Sequence, residues 1–582
     1  MKANRFRTHN CGELRLDHIG QEVTLSGWVE NIRDHGGVIF LDLRDQYGTI
    51  QTVSNDEHMF DSIPRESVIT IKGTVRKRDE ETINTRLATG EVEVLVDNLE
   101  IQSKAKNELP FEVMSSRNSN EEIRLKHRYL DLRNEKVKDN MLFRSKVIKY
   151  MREKMEEKGF TEFQTPILTA SSPEGAREFI VPSRKFHGNF YVLPQAPQIF
   201  KQLLMVGGID KYFQIAPCFR DEDARSDRLY GEFYQLDLEM AFADEEDVLE
   251  IGEDIFYDIF TKFSDKEVSP KPFRRIPYKE AMEKYGTDKP DLRNPLELID
   301  LTHEFRETTF KPFCGVTVKG IVVHDIGDKS NSWFNELVDY AKSIEMPGIG
   351  YITLQEDGTF KGPIDKFLSD TERQELIEKG ALKTNSVLFF IADRKKNKAC
   401  KQAGLIRDEL GRRLDLIDKN KFEFCIINDF PMYEWSDEED RYDFTHNPFS
   451  MLKGGMEGLD NENKEDILAY QYDFVCNGIE LASGAVRNHD LEIMKKAFAI
   501  VGYSEEVIKE KFKSLYTAFQ YGAPPHAGMA PGIDRILMML KDEDRIREFV
   551  LFPMTSGGQD LMMGSPNNVT EMQLREAHIK IR

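Results

Sequence analysis

The sequence predicts a multidomain α+β protein with a small β-barrel at its front and an antiparallel-sheet body behind it, interrupted by an inserted α/β domain. Three observations predict this. Residues 1–105 read as short alternating strands separated by turn residues. A strand-and-turn texture after a long amphipathic helix occupies 139–289 and resumes over 421–582. Residues 290–420 carry strands and helices of a different texture. A length of 582 residues suits three or four domains rather than one.

The barrel strands are expected at Val23–Arg33, Gly37–Asp45, Thr49–Val53, Val68–Arg78 and Glu91–Ile101. Ile69, Ile71, Gly73 and Val75 alternate with Val68, Thr70, Lys72 and Thr74, and turns fall at His35-Gly36-Gly37, Gln46-Tyr47-Gly48 and Thr89-Gly90. Five short antiparallel strands fit a Greek-key barrel of the OB type, which commonly binds single-stranded nucleic acid. Arg33, His35, Phe40 and Arg44 cluster on its second strand region, and cations beside an exposed aromatic suit phosphate contact and base stacking. A buried Phe40 among solvated arginines fits the same pattern equally well.

Residues 106–138 form a polar linker or hinge. A helix follows, in which Phe143, Val147, Met151 and Met155 recur every four residues until Gly159 stops it. Phe160–Thr165 reads as a strand ending at Pro166, and 244–264 as an acidic amphipathic helix. The inserted segment offers strands at Val316–His324, Ile349–Gln355 and Val387–Ala392 and helices at Trp333–Ser343 and Leu405–Asp418. The strand Phe422–Ile427 then resumes the earlier style.

Bulk properties narrow the function. A net charge of −22 argues against a protein that coats nucleic acid indiscriminately but leaves room for a local basic face. No apolar h-region marks a secretory signal, and no apolar run approaches the ~20 residues that span a bilayer, so no membrane partner is expected. Six scattered cysteines without a C-x-x-C pair read as small buried hydrophobes in a reducing cytoplasm rather than as a zinc site or disulfide framework.

Three constellations carry chemistry. Phe219–Met240 places Arg220, Glu222, Arg225 and Arg228 around a strand–loop–strand; fixed guanidiniums can hold an ATP phosphate and stabilise charge developing there. Gly522–Leu540 is a Gly/Pro-rich segment running into a helix near Gly532. A cation at a helix N-terminus opposes the helix dipole, so Arg535 is best explained by an anion facing it. Tyr472–Arg487 sets Asp473 and Glu480 in apolar strand sequence, two carboxylates able to hold Mg²⁺ against a triphosphate.

Together these resemble the class II aminoacyl-tRNA synthetases. The helix before Gly159 and the strand ending at Pro166 are similar to the family's first motif. Phe219-Arg220-x-Glu222 is similar to its second, and Gly532-Ile533-Asp534-Arg535 to its third. The barrel in front resembles the subgroup that charges Asp, Asn and Lys. Ser172–Ala176, Gln195–Gln202, the insertion and the tail Gly557–Pro566 resemble the bacterial aspartyl branch.

The resemblance implies an aspartate–tRNA ligase using ATP and Mg²⁺, with catalytic Arg220, Glu222 and Arg535. The ATP set would be Arg220, Asp221, Glu222, Glu480, Gly532, Ile533, Asp534 and Arg535, with Asp473 and Glu480 on the metal. The aspartate set would be Glu174, Gln198, Lys201, Arg220, His446 and Arg487, a cationic wall for a carboxylate side chain with Glu174 for the ammonium. The barrel would read the anticodon through Arg33, His35, Phe40, Gln51 and Glu81. A homodimer in the cytoplasm is expected.

There are departures. Leu229 stands where many members have an ATP-binding glutamine, and Asn447 where a second histidine often follows the position of His446. His35-Gly36-Gly37 resembles relatives that aspartylate tRNA(Asn) as well as tRNA(Asp), whereas Glu81 is not the glycine some of them carry. A relaxed and a strictly tRNA(Asp)-specific enzyme both remain open. An ATP-dependent asparagine synthetase would lack the barrel, and a non-catalytic RNA-binding paralogue would have lost catalytic positions that are present here.

Overall fold

The computed structural model describes residues 3–34, 38–56, 58–172, 175–436 and 440–582. It divides into two compact units, Met1–Ile123 and Arg124–Arg582. In the first, β1 (Glu22–Asp34), β2 (Ile39–Arg44), β3 (Thr49–Ser54), β4 (Val68–Lys77) and β5 (Val92–Ser103) close in the order β1-β2-β3-β5-β4. Neighbours pair antiparallel except β3 and β5, which pair parallel. The expected all-antiparallel pattern fails there because an odd number of strands cannot alternate direction around a closed ring.

Alternation sorts the barrel's side chains as the sequence implies. Leu25, Leu41, Leu43, Ile50, Ile69, Ile71 and Val94 fill the interior. Phe40 therefore lies on the other face of β2 from Ile39 and Leu41 and is no core residue. Arg44 shares that outward parity but is buried. Its Nη2 donates to both carboxylate oxygens of Glu66, at 2.8 and 2.9 Å, and so it is a structural cation rather than a free phosphate contact.

The second unit is built on an eight-stranded sheet. Its first elements are α1 (Glu135–Glu157), β6 (Thr161–Glu162), α2 (Gln198–Val206), β7 (Lys211–Arg220) and β8 (Gly231–Ala241). Next come α3 (Glu245–Phe263), β9 (Arg274–Pro277), α4 (Tyr278–Tyr285), β10 (Phe424–Pro431) and β11 (Leu468–Cys476). β12 (Ile479–Val486), β13 (His526–Pro531) and α5 (Ile533–Leu540) complete it. The strand order is β9-β10-β11-β12-β13-β8-β7-β6. Its interior pairs are antiparallel as expected, while the edge strands β9 and β6 run parallel to their neighbours.

Asn134 caps α1 by accepting from the backbone N–H groups of Lys136 and Val137, so the helix starts inside the stretch read as linker. Gly159, at φ +81°, turns the chain out of it. The apolar stripe of α1 (Val147, Met151, Met155), that of α3 and the inner face of α5 cover one face of the sheet, which contributes Leu236, Leu238, Tyr472, Phe474, Ala527 and Met529. The opposite face carries polar residues and is where the site lies.

The insertion carries its own sheet and helices, but with an antiparallel sheet it is α+β rather than α/β in type. Its strands, all antiparallel, follow the order Leu298–Asp300, Thr317–Val323, Val387–Asp393, Gly350–Leu354 and Phe360–Lys361. Its last helix is Lys396–Arg413, not Leu405–Asp418: the buried face begins with the small residues Ala399, Cys400 and Ala403, which carry a weak periodic signal. Of the six free cysteines, five are buried and Cys314 is exposed, which corrects the expectation of six core thiols. Among the described residues no helix is long and apolar enough to cross a membrane.

Candidate active site

Strand β8 shows why the site forms where it does. Leu236, Leu238 and Met240 face the core, so Phe233, Gln235, Asp237 and Glu239 must face the other way. Two adjoining cavities open above them. The larger, about 320 Å³, is lined by Arg220, Glu222, Asp227, Arg228, Phe233, Glu480 and Arg535 among others. The smaller, about 170 Å³, is lined by Gln198, Lys201, Asp237, His446, Asp473 and Arg487 among others. Arg220, Gln235, Ser483 and Ala530 line both. Arg220 stands at the junction with its guanidinium 5.0 Å over the Phe233 ring, and its buried Nε has no hydrogen-bond partner.

The larger cavity mixes guanidiniums with carboxylates. Arg228 donates to Glu222 at 2.7 Å. Arg535, in the first turn of α5, donates to the backbone carbonyl of Glu480 at 2.9 Å and lies 3.4 Å from an Asp227 carboxylate oxygen. These contacts fix Arg535 on the wall of a cavity that Phe233 also lines, a suitable place for a nucleotide's ring and phosphates.

Three residues expected in the ATP set do other work. Asp221, just past the end of β7, lies 3.1 Å from Arg177 and accepts from the Tyr230 hydroxyl at 3.0 Å. Ile533 is a core side chain. Asp534 borders the larger cavity but is buried, accepting from Arg144 of α1 and from the Tyr234 backbone N–H at 3.1 Å, so it braces the elements of the three motifs together. Gly532 contributes backbone, as the N-cap of α5.

The smaller cavity has a floor of paired charge. Lys201 and Arg487 are each about 2% exposed. Lys201 donates to Asp237 at 2.7 Å and lies 3.3 Å from Glu239; Glu239 accepts from Arg487 Nε at 2.8 Å and Nη2 at 3.1 Å. The expected wall of cations is thus a buried array of two cations and two carboxylates. Burial pushes Glu239 upward, but Arg487 and Lys201 outweigh it and hold it below the usual carboxylate range. Burial wins at Asp237, which is raised despite Lys201, and its second oxygen has no partner. Gln198 likewise aims an unpartnered buried amide nitrogen here.

His446 lines this cavity with its ring edge-on to Phe430. Burial pushes its pKa below the ordinary value, so at neutral pH it is an uncharged hydrogen-bonding group and no part of a cationic wall. Glu174 and His35 lie outside the described residues.

Asp473 and Glu480 sit on neighbouring strands β11 and β12, where a bulge interrupts the register after Phe474. Burial, with Glu480 alongside, pushes Asp473 well above the usual carboxylate range and outweighs the pull of Lys289. Two hard carboxylates bordering adjoining cavities fit Mg²⁺ that arrives on phosphates, since this ion is commonly held by one or two carboxylates plus phosphate oxygens.

On the barrel, Arg33 makes a bidentate pair with Asp42, at 2.6 and 2.8 Å, and donates to Gln51 Oε1 at 3.3 Å. Gln51 donates to Glu93 at 2.6 Å, which also accepts from Arg76. Arg33 and Gln51 are thereby brought together on the outward face that carries Phe40, while Glu81 lies in the exposed turn Glu80–Thr82.

Comparison with known proteins agrees with this geometry. Residues 120–556 match the family model described as tRNA synthetases class II (D, K and N), and residues 23–102 match an OB-fold nucleic acid binding domain. The chain belongs to the class II tRNA synthetases of the D, K and N group. Curated relatives named aspartate–tRNA(Asp/Asn) ligase are 53% identical in Anaplasma phagocytophilum and 51% in Rickettsia bellii. In both, 99% of this chain and 98% of the relative are covered. Among solved structures, an asparaginyl-tRNA synthetase from Pyrococcus horikoshii complexed with asparaginyl-adenylate shares the fold. Its TM-score is 0.57 at 19% identity, over 94% of this chain and 98% of that one. An aspartyl-tRNA synthetase from Entamoeba histolytica does so with TM-score 0.56 at 20% identity, over 93% and 90%.

Within this synthetase the motif residues Arg220, Glu222 and Arg535 meet at one cavity, and Gln198, Lys201, His446 and Arg487 at the next. Sequence reasoning missed Phe233, Asp237 and Glu239. The last two were open to detection, since alternate polar positions along an otherwise apolar strand mark a buried polar face; Phe233, itself apolar, gives no such signal.

Proposed function

We propose that the chain is an aspartate–tRNA ligase that activates L-aspartate with ATP to aspartyl-adenylate, releases pyrophosphate, and esterifies the 3′ end of tRNA(Asp) and also of tRNA(Asn). The observation that carries the reading is the pair of adjoining cavities sharing Arg220, one with Arg535 and Glu480, the other with Lys201 and Arg487. The names of the full-length relatives support both tRNA partners.

Aspartate enters the smaller cavity with its side-chain carboxylate toward Arg487 and Lys201 and its ammonium toward the free oxygen of Asp237, with Glu174 as a further acceptor. Its α-carboxylate then points at the junction, where Arg220 stabilises charge on the α-phosphate as the carboxylate oxygen attacks phosphorus and pyrophosphate leaves. Arg535 takes the distal phosphates, Glu222 helps place the adenine, and Phe233 offers it a stacking surface. Asp473 and Glu480 would hold Mg²⁺, which when bound would neutralise charge on the phosphates. No side chain acts as a nucleophile, so positioning and electrostatics supply the catalysis. The tRNA hydroxyl then attacks the adenylate carbonyl and AMP leaves. Arg33, Gln51 and Phe40 on the barrel, with His35 and Glu81, contact the anticodon. The enzyme works as a two-fold dimer in the cytoplasm.

ATP–pyrophosphate exchange across a panel of amino acids, without tRNA, tests the reading. Exchange with aspartate alone is expected. Exchange with asparagine or lysine instead would overturn the assignment of the smaller cavity, and exchange with none would overturn the ligase reading.

A further inference from the structure

The segment between α4 and the first strand of the insertion enters the site from an unexpected side. Lys289 Nζ lies 2.8 Å from Asp288 Oδ2 and 3.2 Å from Glu480 Oε2, with Asp473 also among its charged neighbours. An ammonium thus stands against Glu480, one of the two carboxylates read above as the Mg²⁺ ligands, with the other, Asp473, within its electrostatic reach.

Its placement is fixed from two sides. Arg407, fully buried in the insertion helix Lys396–Arg413, donates to the backbone carbonyls of Asp291, Asn294 and Leu296 at 2.9, 2.8 and 2.6 Å. Gly286 packs so closely on that helix that a Cβ there would meet the Cys400 carbonyl oxygen at 2.2 Å. On the other side, the carbonyl of Lys289 lies against Gly478, in the turn joining β11 to β12; a Cβ on Gly478 would be 3.7 Å from it. With the chain anchored on both sides of Lys289 and its own backbone N–H donating to Thr287 Oγ1 at 3.1 Å, the ammonium has a restricted range of positions beside Glu480.

We infer that Lys289 is a built-in counter-cation that competes with free divalent metal for the Asp473–Glu480 pair and yields to it only when nucleotide is present. Resting on the ligase reading, this makes metal entry conditional on ATP. A metal ion arriving alone must displace the ammonium from Glu480 and then lie beside it. A metal ion arriving on a triphosphate brings oxygens to which the ammonium can turn, so both cations are accommodated. Lys289 is accordingly a positioning residue for the metal–nucleotide complex.

Mn²⁺ is the probe, titrated into nucleotide-free enzyme and followed by electron paramagnetic resonance of the free ion. Wild type should bind Mn²⁺ weakly at this site. Lys289→Met should bind it more tightly by roughly tenfold or more, because one opposing charge has gone. Lys289→Arg should restore weak binding. Adding ATP should tighten Mn²⁺ binding strongly in wild type and much less in Lys289→Met, and the KM for ATP should rise in Lys289→Met more than kcat falls. Unchanged or weaker Mn²⁺ binding in Lys289→Met, with a thermal midpoint equal to that of wild type, would overturn the inference. If Lys289→Met does not fold, Lys289→Gln is titrated instead under the same criterion. Aspartate-dependent exchange by the wild type tests the ligase reading separately, since the nucleotide-free titration needs no amino acid.

Discussion

Glu239 accepts from Arg487 through both Nε and Nη2, at 2.8 and 3.1 Å, and both side chains are essentially closed to solvent. Lys201 leans on the same carboxylate at 3.3 Å. Removing one partner of such an array leaves buried charge uncompensated. Glu239→Ala should therefore destabilise the second unit by about 3–5 kcal/mol and raise the KM for aspartate. Chemical denaturation and aspartate-dependent exchange measure the two effects; a variant as stable as wild type would show that Arg487 and Lys201 can rearrange around the loss.

Arg220 is the group shared by both cavities that carries a fixed charge. Arg220→Ala should lose about 10²-fold or more in pyrophosphate exchange while its circular dichroism and thermal midpoint stay near wild type. Near-normal exchange in that variant would remove Arg220 from the reaction.

His526 is fully buried behind the smaller cavity, with Nε2 3.2 Å from Gln202 Oε1. Burial lowers its pKa below the ordinary 6.5, outweighing the pull of Glu239. The fold thus prefers the neutral ring. Its contribution to stability is present above the unfolded pKa and is lost as pH falls through the lowered folded value. The thermal midpoint should drop on going from about pH 7 to about pH 5, and the drop should be smaller in His526→Gln. Equal slopes for the two proteins would place the acid sensitivity elsewhere.

Phe40 faces away from the barrel core, on the surface that holds Arg33 and Gln51. Phe40→Ala and Arg33→Ala should weaken tRNA aminoacylation, each base-stacking or phosphate contact being worth about 1–3 kcal/mol, and leave exchange without tRNA unchanged. Equal losses in both assays would make these residues structural.

The wild-type enzyme should aspartylate a tRNA(Asn) transcript as well as tRNA(Asp). Failure at high enzyme concentration, with tRNA(Asp) charged normally in parallel, would establish strict discrimination.

By itself the sequence determined the barrel, the helix-and-sheet body, the insertion and the motif residues that meet at the two cavities. These follow from periodicities of two and about 3.6 residues, from turn residues, and from short motifs whose members lie close in the chain. Arg220 and Glu222 could be read because they belong to one short motif; Asp221 between them, just past the end of β7, finds partners in Arg177 and Tyr230 that the motif does not name. Only the tertiary structure decided which charges pair. Lys201 and Arg487 are 286 residues apart in number yet share Glu239, and Lys289 meets Glu480 across the whole insertion. It also decided that burial leaves His446 neutral, that Asp534 braces three motifs, and that Arg44 is locked to Glu66. The physical reason is common to all of these. The charge state and partner of a polar group depend on its solvent exposure and on groups distant in sequence, and both arise only when the sheet brings its strands together.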